Sequence, residues 1–196
     1  MISNKLILAS SSPQRLKMLN QIGIKPYKIE PANINEDLRN KETPKNYTLR
    51  LAKEKASKVA EIFPEKFILA GDTIVAKGQK YFFKPKNKDE AYQTLKFLSG
   101  KRHKVFSAIS IINPKKEVYS KISITSVKFS AINEKELNEY LSLNEWQGKA
   151  GSYALQGYGA KFVQWIHGSS SGVIGLPLYE LKNLLVTSGW QNYKNE

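Results

Sequence analysis

The chain has 196 residues, enough for one sizeable hydrophobic core and short for two independent ones. It contains no cysteine, which excludes disulfides, thiolate metal sites and cysteine nucleophiles and fits a reducing compartment, so the cytoplasm is the expected location. The formal charge is +14, yet 27 of the 31 basic residues are lysines scattered along the chain and four are arginines, a pattern of a solvated basic exterior rather than of a nucleic-acid surface, where arginine is favoured.

The opening MISNKLILASS holds an apolar stretch too short for a signal-peptide core, and no later segment approaches the roughly 18 unbroken apolar residues of a membrane span. A soluble protein without a membrane partner is expected. Neither a repeat nor a Gly/Ser-rich linker divides residues 1–196, which read as one domain. Residues 5–10 predict a strand. Ser12 then caps a helix with Pro13 in its first turn, and Leu16, Leu19 and Ile22 keep helical spacing until Gly23 stops it. A short strand near Tyr27 and a polar, irregular segment over 31–43 follow, and Thr43 with Pro44 opens a longer helix through about Ile62.

Residues 67–76, FILAGDTIVA, predict a central apolar strand interrupted by a Gly-Asp-Thr step, with a turn at Lys77-Gly78. Asn87 and Glu90 form a capping-box pattern for a helix over 88–98 that ends at Ser99-Gly100. Two long β-branched runs around NPKKE predict a hairpin over 103–130, and Asn133 with Glu136 opens a second capped helix to about Leu143. The last third predicts strands over 150–156 and 161–166 and a helix from about Pro177 to Thr187. Helices and strands alternate without a strict βαβ repeat, so the expected class is α/β, a mixed sheet with helices packed around it rather than a Rossmann arrangement.

Several residues could carry chemistry. Ser10, Ser11 and Ser12 stand where a strand feeds a helix N-terminus, with Arg15 and Lys17 just behind, and the stretch reads either as a phosphate cradle without P-loop glycines or as a plain cap and turn. Asp72 puts a carboxylate inside an apolar strand beside Gly71, which allows another group to come close; a strand irregularity, a metal ligand and a base are all open for it. Glu36 and Asp37 could offer oxygen ligands to a hard cation or merely solvate a loop. Lys55 and Lys84 are by default surface lysines. His103 and His167 are too few and too far apart for a zinc site, while Gln156, in a glycine-rich stretch, offers an amide that could pair with a base edge.

In order along the chain, LILASSSPQR, RLAKEKA, LAGDTIVA, FFKP, SGKRHKVFSA and GSYALQGYGAKFVQWIHGS with VIGLPL resemble the motifs of the Maf family of nucleoside triphosphate pyrophosphatases. The resemblance implies an α/β fold of two lobes with a central nucleotide-binding cleft, and hydrolysis of a nucleoside triphosphate to the monophosphate and pyrophosphate with a divalent cation, Mg2+ or Mn2+. Ser10, Arg15, Lys55 and Lys84 would then hold the triphosphate, Asp72 would accept the proton of water, and Glu36 would help Asp72 hold the cation. An aspartate is a weak base at neutral pH, so the role needs water already acidified by a metal. Thr73 and Gln156 match the branch that acts on dTTP and UTP. Gln14 departs both from that branch, which carries arginine after the proline, and from the branch that acts on 7-methyl-GTP, which carries tryptophan there, so relaxed or altered selectivity is the alternative expectation. A homodimer is also implied, with nucleotide rather than nucleic acid as partner. The rival expectations are a nucleotide-sensing regulator of cell division that does not cleave, and a basic nucleic-acid-binding protein.

Overall fold

The structure is a computed structural model and describes residues 4–191. Its elements in chain order are β1 (Leu6–Ala9), α1 (Pro13–Gln21), β2 (Lys28–Ile29), α2 (Pro44–Ile62), β3 (Phe67–Lys77), β4 (Lys80–Phe82) and α3 (Lys88–Leu98). There follow β5 (Arg102–Ile112), β6 (Val118–Phe129), α4 (Glu134–Ser142), 3-10 turns at Ala150–Ser152 and Tyr158–Phe162, β7 (Val163–His167), α5 (Ser170–Ile174) and α6 (Leu178–Thr187). The mixed α/β class is the one expected. The chain forms two compact units, one made of residues 1–72, 107–122 and 175–196, the other of residues 73–106 and 123–174. Strands β3, β5 and β6 each contribute to both.

In the first unit the strand order is β2-β1-β3-β5-β6. β1 pairs in parallel with both β2 and β3, so a local βαβ arrangement is present at these strands. LILA in β1 is buried throughout and β3 is buried at nearly every position, the continuous apolar pattern of strands covered on both faces rather than the alternation of a half-exposed sheet. Ile7 and Ala9 of β1, Ile68 and Ala70 of β3, and Ile112 of β5 meet Ala56 and Val59 of α2. The alanines let the helix lie close, and each fully buried Ile or Val contributes about 1.5–3 kcal/mol. α2 starts where expected: the Thr43 side chain accepts the Asn46 N–H and Pro44 takes the first turn.

In the second unit β4 pairs antiparallel with β3, and β7 pairs antiparallel with β6. Phe129 on β6 centres an aromatic core, with its ring 4.8 Å from His103, 4.9 Å from Tyr153 and 6.1 Å from Phe162, all edge-on. α3 packs on α4 and on the turn at Ala150–Ser152.

Four local expectations need correction. Residues 150–156 do not form a strand: Gly151 and Ser152 take φ of +72° and +63°, and two consecutive left-handed residues cannot continue a β-ladder. Residues 161–166 are strand only from Val163, because Phe162 closes the preceding 3-10 turn. Ser12 stands at the N-cap of α1 but makes no side-chain cap bond. The box at Asn87 is half closed: its side chain accepts the Glu90 N–H, while the Glu90 carboxylate accepts from Lys86 N–H instead. The box at Asn133 and Glu136 is complete. The Gly71-Asp72-Thr73 step lies inside the span of β3. Among the described residues, no helix is long and apolar enough to cross a membrane.

Candidate active site

Five of the sequence-selected residues come together in the first unit. Arg15, from the first turn of α1, is buried and turns back on the end of β1, where its Nη1 donates to Ser10 Oγ at 2.9 Å. Its Nε donates to the Gly175 carbonyl at 2.9 Å. Gly71 makes this possible, since a β-carbon there would lie 3.1 Å from the Ala108 carbonyl oxygen and 3.2 Å from Arg15 Nε. Burial lowers the Arg15 pKa from its ordinary value, while the charges of Asp72 and Glu36 oppose that shift. Ser10 Oγ also accepts the Ser12 N–H at 3.2 Å. With both lone pairs engaged, what the Ser10 hydroxyl offers an incoming anion is its hydrogen.

The second half of the site is an ion-paired triad. Lys55 Nζ donates to Asp72 Oδ1 at 2.7 Å and to Glu36 Oε1 at 2.8 Å. Lys55 and Asp72 are nearly buried, with side-chain exposures of 10% and 11%, whereas Glu36 is half exposed at 49%. The two carboxylates therefore lie no further apart than the sum of those two bonds. Asp72 holds its place from β3, and Lys55 from the α2 face that also carries Tyr47 two turns earlier.

Residues that sequence reasoning passed over fix Glu36. Tyr47 Oη donates to the Glu36 carbonyl at 2.8 Å. Arg50 donates to the Asp37 carbonyl at 3.0 Å, to both oxygens of Glu42 at 2.7 Å and to Glu54 at 3.0 Å. The Arg50 bonds hold the Glu42 carboxylate below the usual carboxylate range and raise the Arg50 pKa, and burial raises that of Tyr47. The segment over 31–43 is thus strapped onto α2. The available signal was the spacing of Tyr47, Leu51 and Lys55 on one helix face.

The remaining selected residues stand apart from this cluster or belong to the other unit. Gln14 is half-buried on α1, and Lys17 is exposed there. Ser11 is exposed, and Asp37 turns away into an Asx turn in which its N–H donates to Asn35 Oδ1 at 2.7 Å. Thr73 follows Asp72 on β3 and begins the second unit, where Lys84 is exposed after β4 and Gln156 is exposed between the two 3-10 turns.

Chemically the cluster is two cations, Arg15 and Lys55, against two carboxylates, Glu36 and Asp72, formally neutral in sum. Its metal-capable donors are all oxygens, the set a hard divalent cation takes, and two protein carboxylates completed by phosphate oxygens and water is a usual magnesium arrangement. No group of three or more His, Cys, Asp or Glu that could hold a metal occurs among the described residues. The residues therefore fit a cation brought in with a phosphate ligand, not a closed all-protein cage.

The Maf-like protein family matches residues 5–188 of this chain. A nucleoside triphosphate pyrophosphatase of Ehrlichia ruminantium (strain Welgevonden) is 46% identical over 93% of this chain and 95% of its own length. A dTTP/UTP pyrophosphatase of Zymomonas mobilis is 43% identical over 96% of this chain and 94% of its own. Among solved structures, the Ham1 protein of Staphylococcus aureus overlaps 64% of this chain and 71% of that one, with a TM-score of 0.48 at 14% identity. With a match over residues 5–188 and relatives more than 40% identical across nearly its whole length, the chain belongs to the Maf-like protein family.

Proposed function

We propose that this protein hydrolyses nucleoside triphosphates to the monophosphate and pyrophosphate, with dTTP and UTP as preferred substrates. The observation that carries the reading is the buried Asp72 held by Lys55 beside Glu36, in the same unit as the Arg15 and Ser10 pair. The names of the relatives, nucleoside triphosphate pyrophosphatase and dTTP/UTP pyrophosphatase, support it.

The Ser10 hydroxyl and the Arg15 guanidinium bind phosphate oxygens, and Lys55, released from its carboxylates, follows the negative charge onto the triphosphate. Lys84 adds a further positive charge. Asp72 takes a proton from water as the water oxygen attacks the α-phosphorus; the α–β anhydride bond breaks and pyrophosphate leaves. Magnesium or manganese, when bound, would supply acidified water and neutralise phosphate charge, which a formally neutral cluster cannot do alone. Glu36 and Asp72 would hold it. Thr73 and Gln156 read the base, with Gln14 modifying that choice. The protein acts in the cytoplasm as a homodimer on free nucleotides rather than on nucleic acid or membrane; the absence of cysteine and the scattered lysines support the first and third of these statements.

The test is pyrophosphate release from dTTP, UTP, CTP, 7-methyl-GTP, ATP and GTP with magnesium or manganese, for wild type, Asp72→Asn and Gln14→Arg. Wild type should favour dTTP and UTP, Asp72→Asn should lose about 10²–10⁴-fold in kcat, and Gln14→Arg should sharpen the pyrimidine preference. Equal turnover of purines removes the substrate assignment. Nucleotide binding without release from any substrate replaces the enzyme with a sensor.

A further inference from the structure

We propose that Glu145 is a positioning residue for Gln156, its carboxylate serving as the seat on which the loop that presents Gln156 rests. The inference depends on the reading in which Gln156 contacts the base. Glu145 Oε2 accepts the Tyr158 N–H at 2.8 Å. A β-carbon built on Gly157 would lie 2.7 Å from Glu145 Cδ, so the carboxylate fills the space that any side chain at 157 would need. Gly157 and Tyr158 are the two residues immediately after Gln156, and their backbone is what the carboxylate touches.

The other side of the loop is equally fixed. The Ala154 N–H donates to Tyr140 Oη at 3.0 Å, and the Gly157 N–H closes back on the Ala154 carbonyl at 3.2 Å. A β-carbon on Gly159 would lie 2.8 Å from that same carbonyl oxygen. Residues 154–159 are thus a tight turn held at both ends, and Gln156, exposed at its centre, gains its direction from backbone that cannot shift independently. Glu145 itself is anchored. Asn144 before it takes φ of +58°, a conformation asparagine tolerates, and Trp146 after it is buried with its indole N–H on the Leu141 carbonyl at 3.1 Å. The half-buried carboxylate is not part of any ion pair among the described residues. A carboxylate so placed acts on the reaction through Gln156, by setting where its amide points.

The experiment measures kcat and KM for UTP and ATP on the full chain with magnesium, for wild type, Glu145→Ala, Glu145→Gln, Glu145→Asp and Gln156→Ala, with circular dichroism and thermal midpoints as fold controls. Glu145→Ala should raise KM for UTP on the order of tenfold with kcat within about twofold, the loss expected when the hydrogen bond between the Gln156 amide and the base weakens equally in the ground and transition states. It should also erode the preference for UTP over ATP in the same direction as Gln156→Ala. Glu145→Gln, whose amide oxygen still accepts the Tyr158 N–H, should stay within about threefold of wild type. Glu145→Asp keeps the charge but retracts it by one methylene and should resemble the alanine variant. If Glu145→Ala does not fold, the contrast between the glutamine and aspartate variants decides. An aspartate variant that matches wild type while the glutamine variant fails overturns the proposal, because charge and not reach would then matter. A Gln156→Ala variant that loses base preference beside a Glu145→Ala variant that keeps it also overturns the proposal and leaves the role of Gln156 standing. An unchanged preference in Gln156→Ala removes the base-reading role itself and this inference with it.

Discussion

Replacing Lys55 with methionine isolates the energetics of the candidate site. The substitution keeps most of the apolar stem and removes the ammonium that bridges Asp72 at 2.7 Å and Glu36 at 2.8 Å. The Asp72 side chain is 11% exposed, so losing its partner leaves a nearly buried carboxylate uncompensated, a change that costs about 3–5 kcal/mol. The half-exposed Glu36 contact adds less than about 1 kcal/mol. Arg15, whose charge also faces Asp72, draws the total toward the lower end, about 3 kcal/mol. For a chain of this size that corresponds to a drop in Tm on the order of 10 °C. Urea unfolding of Lys55→Met, Asp72→Asn and the double variant gives the cycle: the double variant should recover at least about 1 kcal/mol relative to the sum of the singles, because neither partner of the Lys55–Asp72 pair is then left without the other. Pyrophosphate release should stay lost in all three. A Lys55→Met protein within about 1 kcal/mol of wild type, or strict additivity in the cycle, refutes the buried pair as the organiser of the site.

Three further outcomes follow from other contacts. Burial, aided by the positive charge of Lys77, lowers the His103 pKa from 6.5 to about 4, so the folded state keeps the imidazole neutral where the unfolded chain would bind a proton. Stability should therefore fall as pH drops through 6.5 and level off for this residue near pH 4, a total of about 3 kcal/mol, and the pH dependence of urea midpoints should be shallower over that window in His103→Gln. Gly151→Ala should cost about 2–4 kcal/mol, since it places a β-carbon 2.7 Å from Val75 Cγ2 on backbone with φ of +72°; equilibrium unfolding checks it. Arg50→Ala should release the segment over 31–43, read as faster limited proteolysis within it and a weakened manganese affinity through Glu36, because the bonds from Arg50 to the Asp37 carbonyl and Glu42 are lost.

Where a short range of residues settles the conformation, the sequence was legible. Thr43-Pro44 and Asn133-x-x-Glu136 satisfy orphan N–H groups within one helical turn, and both helices begin there. At Asn87 the same pattern forms only half of its box, since the Glu90 carboxylate can equally reach the Lys86 N–H, and no local rule chooses between them. Residues 150–156 misled for a different reason. The Tyr153 and Ala154 side chains are buried as strand residues would be, but the left-handed pair at Gly151 and Ser152 is set by close packing of Gly151 on Val75, a contact 76 positions away. Nor could the two units be separated by inspection, because they interleave: the chain passes between them inside β3, β5 and β6, where apolar strand sequence stands in place of a linker.

The site divides along the same line. Ser10 and Arg15 are five positions apart and meet because a strand end and the first turn of the next helix are neighbours by construction, so their partnership could be inferred from the stretch alone. Lys55 and Asp72 are 17 positions apart and meet only because α2 packs on β3, a fact that required the family resemblance or the structure. Glu36 lies on a segment without regular structure, and no periodicity assigns its side chain a direction; Tyr47 and Arg50 on α2 do that through the backbone carbonyls of Glu36 and Asp37. The resemblance named the charged residues and omitted the ones that hold them still. Those supports, Gly71 and Tyr47 in the first unit and Glu145 in the second, act by leaving space for a neighbour or by bonding backbone. Such roles depend on what stands opposite in space and leave no mark on charge or spacing along the chain.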